Sequence, residues 1–501
     1  MISEIKIDMD LNEEHIENEE LKKNYTYFLD DNYLNSLKDH IKDLLIIFCN
    51  PISGNQEGKI FLDIASHYEM KNGYKIIDFS KISSKEKENY LPIKAVFLKL
   101  IDKKEHQDGI NLIQNLQRLN NKEIIKVIIA GGDGSVLSMV QQLDKEGINI
   151  NKCIFGHIPL GTGNDLSNAL GFNNFVNISN NINSLYKILK KYYNANFGGV
   201  DIWNMELQLD KNSGKILENT KNGKVEKKDD KGNRMIFYKR TFINYLSLGY
   251  DARVGFNFDK QRTTSRLCNK CVYFWEGFKK NFCRKTISIP GFLESFNVYE
   301  SSNNPNEKTF LTNNQSMEFE GEKLKIKYCF KSRNSLTELD KGKKTIVIKG
   351  EPCSIVFQNI NFYMAGVKDI WKEGKEKMSV EVINVNKEEK KKYEQKFKEM
   401  ADQEQKLDDH KIEIFSFDSG LQTGFEKVIG GLAKKLYHGG GPILLKFKPT
   451  PDLNEDDKTD RIYLNIDGEY FHIVQPISMK IDLDKSLCNG CIPFLINRDK
   501  V

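Results

Sequence analysis

The feature that most constrains this chain is a pattern that occurs three times in its first third: a short apolar run that stops in a glycine- or asparagine-rich turn. The clearest copy is Ile128 to Met139, IIAGGDGSVLSM. Gly131, Gly132 and Gly134 carry no Cβ, so the backbone there can take φ > 0 and bring its N–H groups close to a bulky anion. Asp133 then stands at the rim of the loop. Val136 to Leu143 has helical apolar spacing, which opens the loop onto a helix N-terminus whose partial positive charge also favours phosphate. Upstream, Leu44 to Phe48 reads as a buried strand ending in Asn50-Pro51-Ile52-Ser53-Gly54, a turn rich in residues that expose backbone donors. Downstream, Ile154 to Ile158 feeds Pro159-Leu160-Gly161-Thr162-Gly163-Asn164-Asp165-Leu166. In an open α/β sheet, ligands bind at the carboxyl ends of the strands, so three such loops predict a nucleotide site.

NPISG, GGDGS and PLGTGNDL, in this order and spacing, resemble the catalytic domain of eukaryotic-type diacylglycerol kinases, within the diacylglycerol, sphingosine and NAD kinase superfamily. Asn244-Tyr245, Gly249-Tyr250-Asp251-Ala252, Ser265-Arg266, Asn269-Lys270 and Asp467-Gly468-Glu469 extend the likeness over most of Leu44 to Ile481. A GGDG loop alone also suits NAD kinases, phosphofructokinases and sphingosine or ceramide kinases; its conjunction with GTGND, GYDA and a late DGE is specific. The loop departs from the family pattern in one place, Ser135 standing where threonine is usual. The resemblance implies an ATP-dependent lipid kinase that converts 1,2-diacylglycerol to phosphatidic acid, with ATP and Mg²⁺ as cofactors. A sphingoid, ceramide or monoacylglycerol acceptor on the same fold is the second reading. A catalytically inactive membrane scaffold is the third, and the intact motifs weigh against it.

Phosphoryl transfer asks a protein for positioning and charge neutralisation rather than covalent work. The nucleotide contacts are expected from Asn50, Ser53, Gly54, Gly131, Gly132, Gly134, Ser135, Gly161, Thr162, Gly163, Asn164 and Asp165. Asn50 and Ser53 either build a tight turn or donate to the nucleotide, and the resemblance favours the second. Asn164 bonds either the ribose or a neighbouring loop, and Asp165 can cap the helix Leu166 to Leu170. Mg²⁺ takes one or two carboxylates plus phosphate oxygens and water, so Asp133 is its expected partner; the alternative is an aspartate capping the helix that follows it. Asp251 joins the metal network by resemblance alone. The acceptor hydroxyl must lose a proton, and a positioned carboxylate contributes about 10²- to 10⁴-fold as general base. Bacterial relatives place that role in the late DGE, here Asp467 and Glu469, with Asp467 also expected at the metal. Two carboxylates two residues apart on a strand share a face, so one can raise the pKa of the other. The alternative for Asp467-Gly468 is a hairpin turn.

At 501 residues the chain has room for two or three domains with sizeable cores. Charged residues are 29% of it and the net charge is only +5, so the global basic field expected of a nucleic-acid binder is absent. No stretch approaches the roughly 20 apolar residues of a membrane helix, and the first residues lack a signal-peptide core. A cytoplasmic protein recruited to the cytosolic face of membranes is therefore expected, with an anionic, peripheral lipid surface as partner. Nine cysteines without regular spacing fit reduced thiols. Cys268/Cys271 and Cys488/Cys491 have metal-like spacing, with a four-thiolate zinc site as the minor reading.

The expected fold is α/β: residues 1–38 a flexible acidic leader, 39–195 a doubly wound nucleotide-binding domain, 196–485 a β-rich accessory sandwich that carries DGE back to the cleft, and 486–501 a C-terminal tail. Three polar insertions interrupt the sandwich. Asp210 to Arg234 reads as a disordered loop, Arg284 to Lys344 as unassigned with strand-like pieces such as Leu324 to Phe330, and Lys387 to Lys411 as a solvated helix or loop. Phe256 to Lys280 mixes basic and aromatic residues and reads either as a surface for anionic headgroups or ATP phosphates or as an amphipathic helix packing inward.

Overall fold

The computed structural model describes residues 37, 40–66, 70–71, 74–82, 90–120, 122–161, 163–173, 178–220, 223–259, 288–299, 324–330, 345–348, 350–363, 366–368, 380–383, 385–420, 422–423, 432–448 and 462–497. They form two units. One holds the described residues up to Gly199 and those from Ile492 onward; the other holds those between Val200 and Cys491.

The first unit is built on a sheet whose parallel strands are Leu44–Cys49, Lys94–Lys99, Ile125–Gly131, Cys153–Pro159 and Cys491–Ile496. Numbered by position in the chain, they lie in the order 2-1-3-4-5. The order reverses between Leu44–Cys49 and Ile125–Gly131, and right-handed crossovers then carry the helices to opposite faces, the doubly wound arrangement expected. Leu44–Cys49 and Cys153–Pro159 are buried at every position, as strands covered on both faces must be. Helices Ser53–Ser66, Lys103–Leu119 and Asp133–Lys145 follow the first three parallel strands.

The C-terminal residues, expected as a tail, instead supply a strand of this sheet. Cys491–Ile496 pairs in parallel with Cys153–Pro159, and Ile492, Phe494 and Leu495 are fully buried. The run is short and apolar, which periodicity cannot distinguish from other buried segments.

The second unit is β-rich. One sheet runs Gly223–Glu226, Lys215–Thr220, Glu469–Val474, Ile462–Ile466, Tyr245–Gly249, Ser354–Gln358, Ile412–Phe417 and Lys434–Gly439. The other runs Phe237–Phe242, Trp203–Leu209, Pro476–Leu483, Ile443–Phe447, Leu293–Tyr299, Leu324–Phe330, Thr345–Ile348 and Val380–Ile383. Trp203, Met205 and Leu207 from the second sheet and Leu246, Leu248 and Leu464 from the first belong to one core. Trp203–Leu209 alternates strictly between buried and half-buried, the period of two that a sandwich face imposes.

Two insertions take definite form. Asp210 to Arg234 was expected to be disordered, yet Lys215–Thr220 and Gly223–Glu226 pair as an antiparallel hairpin. The hairpin is held to the sheet through Glu469–Val474 and closed by a Lys227–Glu218 ion pair of 2.6 Å, so its stability comes from neighbours and not from its own apolar content. Lys387–Asp402 is a solvated helix. Asn386 accepts from the Glu389 N–H and Glu389 accepts from the Asn386 N–H, a capping box, and Phe397 and Ala401 are its buried side chains. The leader apart from Leu37 and most of the block Phe256 to Lys280, including Arg262, Arg266, Trp275 and Lys280, lie outside the described residues, as do Cys268 and Cys271.

Among the polar side chains buried in the first unit is a histidine inside an apolar strand. His157, fully buried on Cys153–Pro159, donates from Nε2 to the Gly131 carbonyl at 3.1 Å, and burial lowers its pKa to about 4. The unfolded ring holds a proton below about pH 6.5. Unfolding therefore takes up a proton between these values, and stability falls as pH drops from about 6.5 to 4, by up to about 3 kcal/mol. Urea unfolding of wild type and His157→Gln at several pH values tests this. The stability advantage of wild type should shrink across that window; a pH-independent difference would show that His157 does not titrate on unfolding.

Candidate functional site

Asn50, Gly131 and Leu160 end three neighbouring strands, and the sheet's hydrogen bonds continue into their loops. The Asn50 N–H donates to the Ala130 carbonyl at 2.8 Å, and the Leu160 N–H donates to the Gly131 carbonyl at 2.8 Å. NPISG and GGDG thus flank the strand reversal, where open α/β sheets bind ligands. Asn50 is buried and its Oδ1 accepts from the Ile52 N–H at 3.2 Å, so it builds the turn. Ser53 begins the helix, Gly54 takes φ +62°, and Ile52 is 61% exposed at the tip. A Cβ on Gly58 would lie 2.0 Å from the Asn50 carbonyl oxygen, so the helix can approach the turn only through glycine.

The glycines of GGDG serve a different purpose from the one expected. Among Gly131, Gly132, Gly134, Gly161 and Gly163, none has positive φ. Close approach is the reason for some of them. A Cβ on Gly161 would meet the Gly132 Cα at 2.9 Å, and one on Gly131 would meet the Ser135 Oγ at 3.0 Å. The GGDG and GTGND loops therefore lie directly against each other. Beside Gly134 and Gly163 no atom lies within 4 Å of a built Cβ, which leaves room next to the backbone.

Asp133 links the two loops. Its Oδ2 accepts from the Asp165 N–H at 2.9 Å and from the Leu166 N–H at 3.4 Å. It does cap a helix, but the short Asp165–Ala169 and not the one it begins, whose N-cap is Gly132. Asn164, in the left-handed region at φ 57°, accepts from the Gly161 N–H and donates to the Gly161 carbonyl, each at 2.9 Å. Its amide thus closes its own loop. Asp165 is buried at the first helical position, and its backbone rather than its carboxylate makes the link. Thr162 lies outside the described residues. His157 reaches the same loop from below, with Nδ1 3.6 Å from Asp133 Oδ1. No motif marks His157; the signal in the sequence is a single histidine inside an apolar strand.

In the second unit, Asp467 and Gly468 form the tight turn between Ile462–Ile466 and Glu469–Val474, with φ +48° and +85°. Positive φ at both central residues is the hairpin geometry that Asp-Gly favours. The Asp467 carboxylate accepts three backbone donors: Ile243 N–H at 2.8 Å, Asn244 N–H at 2.9 Å and Tyr245 N–H at 3.0 Å. Asp467 and Glu469 therefore do not share a strand face as expected, because the turn falls between them. Glu469 is half-exposed and ion-paired with Arg240. That partner is 229 residues away in the chain, and no local pattern marks it.

Asp251 is buried at the start of helix Tyr250–Asp259. Its Oδ2 accepts from the hydroxyls of Ser247 and, at 2.8 Å, Tyr363. Burial pushes its carboxyl above the usual carboxylate range. Among the described residues, no three His, Cys, Asp or Glu side chains converge as a metal-binding group.

Residues 44–193 match the diacylglycerol kinase catalytic domain and residues 241–470 the diacylglycerol kinase accessory domain. The chain is similar to "Probable diacylglycerol kinase 3" of Caenorhabditis elegans, 24% identical over 237 residues that cover 46% of this chain and 24% of that protein. It is similar to "Diacylglycerol kinase 3" of Arabidopsis thaliana, 24% identical over 283 residues, 51% of this chain and 52% of the relative. With "Diacylglycerol kinase kappa" of Homo sapiens it is 29% identical over 164 residues, 33% of this chain and 10% of that one. The chain spans about half the length, or less, of these curated relatives. With the catalytic and accessory domains matched in succession over most of its length, the chain belongs to the diacylglycerol kinase family.

Proposed function

We propose that the protein phosphorylates 1,2-diacylglycerol to phosphatidic acid with ATP as donor. The observation that carries this reading is the convergence at the strand reversal. Three loops ending adjacent parallel strands lie there, two of them packed glycine against glycine and tied by Asp133. Such a surface suits a polyphosphate, whose oxygens take up backbone N–H groups and helix N-termini. Gly134, exposed beside Asp133, leaves the approach open.

Of the carboxylates considered for Mg²⁺, Asp133 fits best: its side chain is 12% exposed and lies at the loop that would hold the phosphates. One carboxylate is enough for this ion when substrate phosphates and water complete the shell. When bound, Mg²⁺ would neutralise charge on the phosphate oxygens. Asp251 is enclosed by hydroxyls, and Asp467 is engaged with backbone amides, so we assign both to holding the second unit. Glu469, the exposed acid of DGE, is the proposed base. The lipid hydroxyl gives its proton to Glu469, its oxygen forms the new bond to the γ-phosphorus, and the bond to the β-phosphate oxygen breaks to release ADP. No described helix is long and apolar enough to cross a membrane, and the proposed encounter with the lipid is peripheral.

Purified protein supplied with ATP, Mg²⁺ and diacylglycerol in mixed micelles should form phosphatidic acid. Products from a panel that adds sphingosine, ceramide and monoacylglycerol would overturn the acceptor if one of these is phosphorylated instead. Asp133→Asn keeps an oxygen for the Asp165 and Leu166 amides, since Asn caps about as well as Asp, but removes the charge. It should lower kcat/KM by at least about 100-fold, equivalent to about 2.7 kcal/mol, with thermal unfolding little changed. The two DGE acids should separate. Glu469→Gln should reduce kcat by about 10²- to 10⁴-fold while the protein stays folded. Asp467→Asn turns an N–H₂ group toward backbone donors and should destabilise the second unit by about 1–3 kcal/mol. Unchanged denaturant unfolding in Asp467→Asn would refute its structural role.

A further inference from the structure

Arg240 stands outside every motif that the family resemblance uses, yet it holds the one exposed acid of DGE. Its guanidinium pairs through Nη2 with Glu469 Oε1. Its other terminal nitrogen, Nη1, donates to the Tyr238 hydroxyl at 3.4 Å. Tyr238 is buried and meets Phe471 edge to face, the ring centroids 5.7 Å apart. Two rungs therefore join Phe237–Phe242 to Glu469–Val474: Arg240 to Glu469, and Tyr238 to Phe471. The rungs sit two residues apart on each strand, so both fall on one face. The two strands belong to different sheets of the sandwich, so side chains, not ladder hydrogen bonds, make this join. The Lys227 ammonium lies 5.9 Å from both the Tyr238 and Phe471 rings and covers the second rung.

The same segment grips the other acid of the motif. Immediately after Arg240 and its strand come the Ile243, Asn244 and Tyr245 amides that hold the Asp467 carboxylate. Residues 240–245 thus fix the turn through Asp467 and the side chain that leaves it through Glu469. A glutamate has three side-chain torsions, and a half-exposed one without a partner samples several rotamers. An arginine whose own fork is anchored at a second point removes that freedom.

We propose that Arg240 is the positioning residue for Glu469: it holds the carboxylate in the orientation that receives the proton of the lipid hydroxyl. This rests on the kinase reading above, with Glu469 as base. The role is orientational, because a surface ion pair by itself contributes little stability, whereas misplacing a reacting group can cost about 100-fold in rate.

Arg240→Gln should lower kcat for diacylglycerol phosphorylation by about 10- to 100-fold and leave KM for ATP unchanged. Placed in Glu469→Gln, the same substitution should cost less than about twofold, since residues that act through one another are not additive. Arg240→Lys keeps the charge but not the fork and should lose less than Arg240→Gln. If the Gln variant does not fold, Arg240→Lys with and without Glu469→Gln supplies the same cycle. Wild-type kcat in Arg240→Gln, or an equal loss in both backgrounds, overturns the proposal while leaving the kinase reading in place. A wild type that forms no phosphatidic acid overturns the kinase reading and this role with it.

Discussion

The bond from the Asp133 carboxylate to the amides of Asp165 and Leu166 is the constraint on which the GGDG and GTGND loops depend. Asp165–Ala169 is five residues long, far below the length at which a helix holds itself together in water. Its N-cap, Asn164, offers no side-chain cap, because that amide is engaged with Gly161. The orphan N–H groups of the first turn are answered from another loop, 32 residues earlier in the chain. A charged acceptor at a helix start is among the stronger hydrogen bonds in proteins. The link is possible only because Gly161 passes so close to Gly132 that a side chain would not fit. Anything that draws on the Asp133 carboxylate is thereby felt in both loops.

The second unit uses the same device for a different need. Between Phe237–Phe242 and Tyr245–Gly249 the chain leaves one sheet and enters the other, so Ile243 and Asn244 have no ladder partner on that step although both are buried. Buried backbone groups must be paired. Asp467 takes the amides, while Asn359 takes the carbonyls: its Nδ2 donates to the Ile243 oxygen at 2.6 Å and its N–H to the Asn244 oxygen at 2.9 Å. The DGE turn is therefore part of the sandwich's construction as well as a carrier of acids.

What the sequence disclosed follows the range of the interactions involved. Strands such as Ile412–Phe417 and Ile443–Phe447 are legible in the sequence, since runs rich in β-branched and aromatic residues are local signals. Thr241 to Leu248 is a single strand-like run in sequence but spans the end of Phe237–Phe242 and most of Tyr245–Gly249, because a change of sheet leaves no mark on the local pattern. The hairpin at Lys215–Glu226 was hidden for the opposite reason: its residues are polar, and its order comes from pairing with Glu469–Val474. Within the site, the loops and Asp133 were legible as motifs. The reason for the glycines was not, since a close approach of two loops is a tertiary fact that the letter G does not distinguish from a left-handed turn. Arg240 and His157 belong to the same category.

The acids of the motifs look alike in sequence, and the fold divides them by what surrounds their oxygens. Asp467 is held by amides and Asp251 by hydroxyls, and in both cases the donors are parts of the chain that would otherwise be buried without partners. Removing such a carboxylate leaves those donors unmatched, a cost that falls on folding. Asp133 and Glu469 differ, because neither side chain is fully enclosed, 12% of the first and 52% of the second being exposed, while each grips a structural partner: the helix amides for one, Arg240 for the other. Glu469, tied to Arg240 and half-exposed, has a fixed direction and a reachable lone pair, whereas Asp133 has a fixed direction but a buried Oδ1 facing His157 Nδ1. The chemistry of these motifs therefore follows from the donors the fold sets against each acid, and a matching letter at a motif position does not determine it.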